Sequence, residues 1–413
     1  MLIEKIKVAE QGQVEAQFSL GVCYGKGIGM TADQAESAKW FRKAAEQGHA
    51  EAQFFLGSYY YNGEGVAEDK PEAAKWFRKA AEQGHTAAQY FLGRQYFNGE
   101  GVVADTTEAI KWYRKIAEQG DAEIQCTLGL CYKVGEGVVA DKAEAAQWFR
   151  RAAEQGHIEA QFQLAQCYYD GTGVIIDKAE AIRWARKAAE QGHPEAQFNL
   201  GVSYSQGDGV LQDKVEAAKW FRKAAEQGDA AAQYKLGWIY YKGEGVASDK
   251  AESAQWYRKA AEQGHAEAQW FLGSYYFTGV GVIKDNAEAA KWYRKAAEQG
   301  HVDAQRFLGS IYSLGAGVIA DKTEAVLWFR KAAEQGDARA QYDLGNCYYK
   351  GEGVIEDFVA AYKWLFLAET SGDERAGGIR AKMAEEMTSE QISEAEAQVK
   401  TWQFEREPSS TPN

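Results

Sequence analysis

HAEAQFFLGSYYYNGEGVAEDKPEAAKWFRKAAEQG, residues 49–84, is one period of a pattern that fills most of this 413-residue chain. Its first half places Ala52, Leu56 and Tyr60 at four-residue spacing, an apolar stripe on one face of a helix. Gly63 and Gly65 end that helix and turn the chain. The second half opens on Asp69 and Glu72, the D-x-x-E form of a capping box, and carries Ala73, Trp76 and Ala80 as a second stripe. Gly84 stands where a left-handed residue closes a helix. One period therefore reads as two antiparallel helices joined by a glycine turn.

Outward from this stretch the closing glycine recurs from Gly12 to Gly372 in steps of 36, with no residue gained or lost. Such a fixed step is the mark of a solenoid, in which each unit buries its apolar face on its neighbours. Counterparts of Leu56, Tyr60 and Trp76 occur in all ten units, which assigns them to the core; Gly57 has a glycine counterpart in nine, with Ala165 the exception, and lets a neighbouring helix approach closely. A Gln holds the Gln53 phase in every unit, and a polar side chain on a packed face must bond a turn carbonyl or amide.

The fold class is all-α, with a partial helix over 1–12, ten repeats over 13–372, capping helices over 373–406 and a disordered tail over 407–413. The first helix has Glu4 at the tryptophan phase, so the array starts on half a hairpin. At the other end Thr388 and Gln391 form a capping box, and Ile392, Ala395, Val399 and Trp402 supply the stripe of a terminal cap.

A formal charge of −13 argues against nucleic acid, which relies on clustered Lys and Arg. No run reaches the roughly 18 apolar residues of a membrane span, and the charged opening MLIEKIKVAEQG is not a leader, so a soluble cytoplasmic chain is expected, or a periplasmic one if a leader preceded Met1. Of the five cysteines, Cys23, Cys131, Cys167 and Cys347 share one phase and read as free thiols filling a small helix position.

All six histidines, from His49 to His301, follow the turn glycine, too far apart for one metal ion, and read as turn-surface residues. Asp121, Asp229 and Asp337 take that phase every third unit, where Asp can cap a helix. The G-x-G pairs lack the strand and third glycine of a dinucleotide site, so no cofactor is expected. The recurrent Lys75, Arg78 and Lys79 type of cluster, with Glu82 nearby, reads as a solvated mixed-charge face.

The pattern met by Ala52, Leu56, Gly57, Tyr60, Gly63, Gly65, Asp69, Ala73, Trp76, Ala80, Ala81 and Gly84 closely resembles the Sel-1-like repeat family, relatives of tetratricopeptide repeats, over residues 13–372. The resemblance implies a right-handed superhelix with the first helices lining a concave face, and a bacterial adaptor or scaffold role. The paired cysteines of the family's secreted branch are missing here.

On that face the phases off the core stripe vary from unit to unit, and several are aromatic. Tyr61, Phe97, Tyr169, Tyr241, Phe277 and Tyr349 share one phase; Phe54, Tyr90, Phe162, Tyr234 and Trp270 share another two turns earlier, with Arg94 and Trp238 between. These are the residue types that anchor interfaces, and they make a partner-binding wall the leading expectation; the alternative is that the rings pack on the adjacent unit. A protein or peptide scaffold without turnover follows. A second reading, a hydrolase of cell-wall or antibiotic substrates as suggested for some relatives, needs a unique nucleophile, and a third is a self-associating structural protein.

Overall fold

The structure, a computed structural model, describes residues 2–405, with side chains from residue 4 onward; the expected tail over 407–413 lies outside the described residues. The described residues form 23 α-helices and no strand. A first helix, Leu2–Glu10, precedes repeated pairs such as Ala50–Asn62 with Lys70–Glu82, and Glu374–Ala384 and Ser389–Phe404 close the chain. Within each of two compact units, leading helices pack on the following helix of their own pair, which packs in turn on the next leading helix: an α-solenoid of hairpins. The chain divides into two compact units, one running up to Ser203 with Gly207–Leu211, the other made of Tyr204–Gln206 and the part from Gln212 onward.

Helix starts are encoded at both kinds of turn. Asp69 caps the following helix by accepting from the Glu72 amide at 2.8 Å. The reciprocal half of the expected box does not form: the Asp69 amide donates to the Tyr60 carbonyl at 2.8 Å, and the Glu72 carboxylate pairs with Lys75 at 2.9 Å. At Thr388 both halves are present. The histidines are caps rather than surface residues, since His49 Nδ1 accepts from the Ala52 amide at 3.1 Å and its counterparts repeat the bond. Asp121, Asp229 and Asp337 do the same through carboxylate oxygens, so His and Asp at this phase are two solutions to one orphan amide.

Two glycines per period carry distinct constraints. Gly57 has its Cα against the Phe77 ring, and an added Cβ would stand 2.8 Å from it. Gly21 with Phe41, Gly129 with Phe149 and Gly309 with Phe329 repeat the contact. The exception is explained by its partner: opposite Ala165 the ring is replaced by Ala185, and the missing ring leaves room for the methyl group. Gly65, at φ +65°, lies on the backbone of the previous unit, where a Cβ would come within 2.1 Å of the Gln34 carbonyl oxygen.

Ala52 and Leu56 are fully buried, whereas Tyr60, expected in the core, is half-buried with the Arg42 guanidinium on its hydroxyl. Arg78 reaches Tyr96 in the same way, and Lys79 Nζ lies 3.9 Å from the Trp76 ring centroid, so these two cations, exposed as a mixed-charge face requires, also have aromatic partners. The tryptophans lie at junctions between hairpins: Trp112 joins Ala73 and Phe77 of the preceding hairpin to Ala88 and Leu92 of its own, and Trp292 does the same with Tyr257 of the preceding hairpin and Leu272 and Tyr275 of its own.

The buried glutamines form a relay. Gln53 Nε2 donates to the Ala45 carbonyl at 3.0 Å, as expected, and its Oε1 accepts at 2.7 Å from Nε2 of Gln83, the exposed residue that ends the following helix of the same hairpin, a partner not visible in the repeat pattern. Equivalent pairs recur in both units, as in Gln155 to Gln125 and Gln299 to Gln269. At the end Ser371 stands where the donor glutamine should, and Gln341 Oε1 is buried without a partner. The terminal cap takes over the apolar contacts there: Ala395 and Val399 are buried, and Trp402 meets Trp364 edge-on at 6.3 Å.

Candidate functional site

The expected contact residues lie on the leading helices, and most of them are engaged with the adjacent repeat. Phe54 stacks on the His85 ring at 4.7 Å and touches Phe77 and Phe91. Tyr234 stacks on His265 at 4.7 Å, and Trp270 on His301 at 5.5 Å. Phe162, stacked on His193 at 4.3 Å, is only 4% exposed; this corrects its place in the contact wall, since a ring sealed between a capping histidine and the next repeat has no face for a partner. Cap and ring thus brace each other. His85 Nε2 also lies 3.6 Å from the Glu51 carboxylate of the preceding repeat.

The second phase keeps more surface. Phe97 and Tyr169 are 37% and 44% exposed, and of the Phe54 phase Tyr90 is as open, at 41%. Tyr61 is half-buried, donates to Glu100 and accepts from Arg94 Nη2 at 3.1 Å. Tyr169 donates to Asp208 at 2.7 Å, and Lys178 holds the other oxygen at 2.7 Å, which pulls the Asp208 carboxyl below the usual range. Trp238 lies beside Tyr241 at 5.9 Å and edge-on to Phe271 at 5.7 Å, with Lys242 over its ring. Phe277 and Tyr349 are half-buried, with Lys284 and Phe358 nearby.

A third phase carries rings that the sequence reading passed over. Phe55, Phe91, Phe271 and Phe307 lie nearly parallel on Phe41, Phe77, Tyr257 and Tyr293, at 5.0–5.6 Å. Their signal was present, since each is paired with a ring at a fixed distance along the chain. Elsewhere this phase is polar, with Thr127, Gln163, Lys235 and Asp343, so the face alternates aromatic with polar patches within each unit.

Asp343 is the sharpest departure from the repeat. It opens onto a cavity of about 630 Å³ bounded by Ser310, Ser313, Tyr342, Asn346 and Tyr349. Burial pushes its carboxyl up to about 6, against the pull of Arg375 and Arg306 and with the Asp373 and Asp337 charges adding to the rise. Arg306 replaces the stacking ring of the previous phase and is held by Asp303 at 2.6 Å and Asp337 at 3.4 Å.

A carboxyl raised in the folded state binds its proton more tightly there than in the unfolded chain. Its folded-state cost is absent below about pH 4, grows as the pH rises from about 4 toward about 6, and is constant above that. Asp343→Asn is therefore expected to raise stability at pH 7 by roughly 1–3 kcal/mol and to leave it unchanged at pH 4. Urea unfolding at the two pH values checks this, and equal effects at both would refute it.

Reactive side chains are otherwise occupied by structure. All five cysteines are free, and burial pushes the Cys126 thiol up to about 12 and those of Cys131 and Cys347 up to about 11, so these three are not ready thiolates. Among the described residues no helix is long and apolar enough to cross a membrane.

The model of the Sel1 repeat matches ten consecutive segments: 14–49, 50–85, 86–121, 123–157, 158–193, 194–229, 230–265, 266–301, 302–337 and 338–373. Among solved structures, the chain is similar to c5321, described as a protective antigen present in uropathogenic Escherichia coli strains and displaying an SLR fold. Identity is 35% over 100% of this chain and 99% of that one, with a TM-score of 0.61. It is also similar to a Sel1 repeat protein from Oxalobacter formigenes, at 38% identity over 75% of this chain and 89% of that one, with a TM-score of 0.61. A search of curated proteins gives no match. With matched segments running almost without a break from residue 14 to residue 373, the chain belongs to the Sel1 repeat family.

Proposed function

We propose that the leading-helix face of each unit holds a protein or peptide partner without chemical turnover. The observation that carries this reading is the contrast between phases. The core positions of Leu56 and Trp76 repeat without change, while leading-helix phases beside them alternate between half-exposed rings and polar groups, as a surface released from packing duty does. Aromatic rings braced by a neighbouring repeat lose little freedom on contact and suit anchoring. The general role of Sel1 repeat proteins as protein-interaction scaffolds supports the same reading. Turnover finds less support, because the histidines cap helices and the buried thiols are raised.

Cross-linking in the native host followed by mass spectrometry names the partner. The variant Tyr90→Ala/Phe97→Ala/Tyr169→Ala removes the exposed rings without opening the buried core. Its expected result is capture of that partner reduced at least about tenfold, a loss of about 1.4 kcal/mol, with unchanged far-ultraviolet dichroism. Undiminished capture, repeated with Trp238→Ala/Tyr241→Ala in the second unit, would remove the face from consideration.

A further inference from the structure

The turns between leading and following helices carry a feature that neither the core nor the leading-helix face explains. In the first unit Val103, Val139, Ile175 and Leu211 occupy one phase of four consecutive turns, and each is 88–90% exposed. In the second unit Ile283, Ile319 and Ile355 do the same at 91–92%. The residue before each turns inward: Val102, Val138 and Val174 are half-buried against the core. The inward valine accounts for itself by packing. The outward aliphatic gains nothing from the fold.

The turns lie against one another along one edge of each unit. Gly137 rests on the backbone at Thr106, Gly173 on that at Lys142 and Gly209 on that at Lys178; in the second unit Gly317 rests on Asn286 and Gly353 on Lys322. Each of these glycines lacks room for a methyl group, so the step from turn to turn is rigid. The outward side chains form a ridge of apolar knobs at a constant pitch. At the same phase Thr31, Ala67 and Ala247 are small or polar, which bounds the ridge.

From this we infer that the ridge is a contact between two copies of the chain, each laying its knobs into the gaps of the other about a two-fold axis. A matching surface must present apolar groups at the same pitch, and the same edge of a second copy does so by construction; such isologous pairing is the usual route to a dimer. A fully exposed Val, Leu or Ile offers on the order of 100 Å². Four knobs then bury about 400 Å² per partner, half of the roughly 800 Å² of a stable complex, so the pairing is weak and concentration-dependent. Each turn of the ridge also bears a carboxylate, among them Asp105, Asp141, Asp177, Asp285, Asp321 and Asp357. The two edges therefore repel at low salt and draw together as salt screens them. The same carboxylates oppose an anionic bilayer.

Sedimentation velocity of the full chain from low to high micromolar, in low and high salt, tests the inference. The expected result is a monomer that shifts toward dimer with concentration, more so in high salt. Val139→Asp/Ile175→Asp and, separately, Ile319→Asp should raise the dissociation constant at least about tenfold with unchanged helix content, because these side chains touch no core. A chain that stays monomeric throughout overturns the inference, as does association that the variants leave intact. Flotation of a monomeric chain with neutral phosphatidylcholine vesicles would assign the ridge to lipid instead and overturn it too. Loss of partner capture by the leading-helix variants has no bearing on this outcome, so the two readings fail separately.

Discussion

Gly173→Ala is expected to lower stability by about 3–5 kcal/mol, whereas Gly156→Ala costs only about 1–2 kcal/mol. Both glycines have positive φ, +74° and +92°, and both variants incur the left-handed penalty of an L residue. They differ in what a methyl group would meet. At Gly156 nothing lies within 4 Å; at Gly173 the added Cβ would stand 1.8 Å from the Lys142 carbonyl oxygen. That atom belongs to the backbone at the start of a helix in the preceding repeat and cannot rotate away, so the turn must lift and the packing beneath it loosens. Urea titration followed by dichroism compares the two, and equal shifts in midpoint would show that the turns do not rest on one another.

Trp112→Ala is expected to cost about 3–5 kcal/mol, the range for truncating a large buried ring. Its position adds a second expectation. Trp112 is 5% exposed and completes the core at the junction between two hairpins, with Phe77 of the preceding one and Leu92 of its own. In an array whose stability is a sum of repeat and nearest-neighbour interface contributions, removing a ring that belongs to the interface weakens the coupling between repeats. Unfolding should therefore broaden or split into two steps, with the first few hairpins melting apart from the rest, and hydrogen exchange should locate the break near this residue. A single transition, shifted but unbroadened, would place the tryptophan within one repeat's own energetics.

Much of this was open to reading from the chain itself. Ten periods of one length make an internal comparison in which packing positions declare themselves, so Leu56, Trp76 and the closing glycines could be placed before any coordinates. The reading failed where one residue type serves two ends. His49 looked like a surface turn residue because its ring was weighed as a metal ligand and not as an acceptor for the Ala52 amide. Glu72 looked like half of a capping box, yet a lysine one turn on competes for it and the turn already satisfies the Asp69 amide. The contact wall was harder still: Phe162 and Tyr90 share one phase, yet Phe162 is sealed under His193, while Tyr90, where the next repeat has Asp121 in place of that histidine, stays exposed. Asp343 carried a signal that was passed over, a carboxylate at a phase where four other repeats hold phenylalanine.

The glutamine relay bears on how such a chain can change its length. Because Gln53, its oxygen completed by Gln83 of its own repeat, donates to the Ala45 carbonyl of the repeat before, each junction asks for the same donor and acceptor, and any repeat can follow any other without leaving a buried amide stranded. An unequal crossover that removes or copies 36 residues at any phase restores an intact junction, whereas one that is a residue out breaks the relay on both sides. Length is thus inherited in whole steps. The bare carbonyl of Gln341, where Ser371 ends the relay, marks the place at which copying stops being neutral.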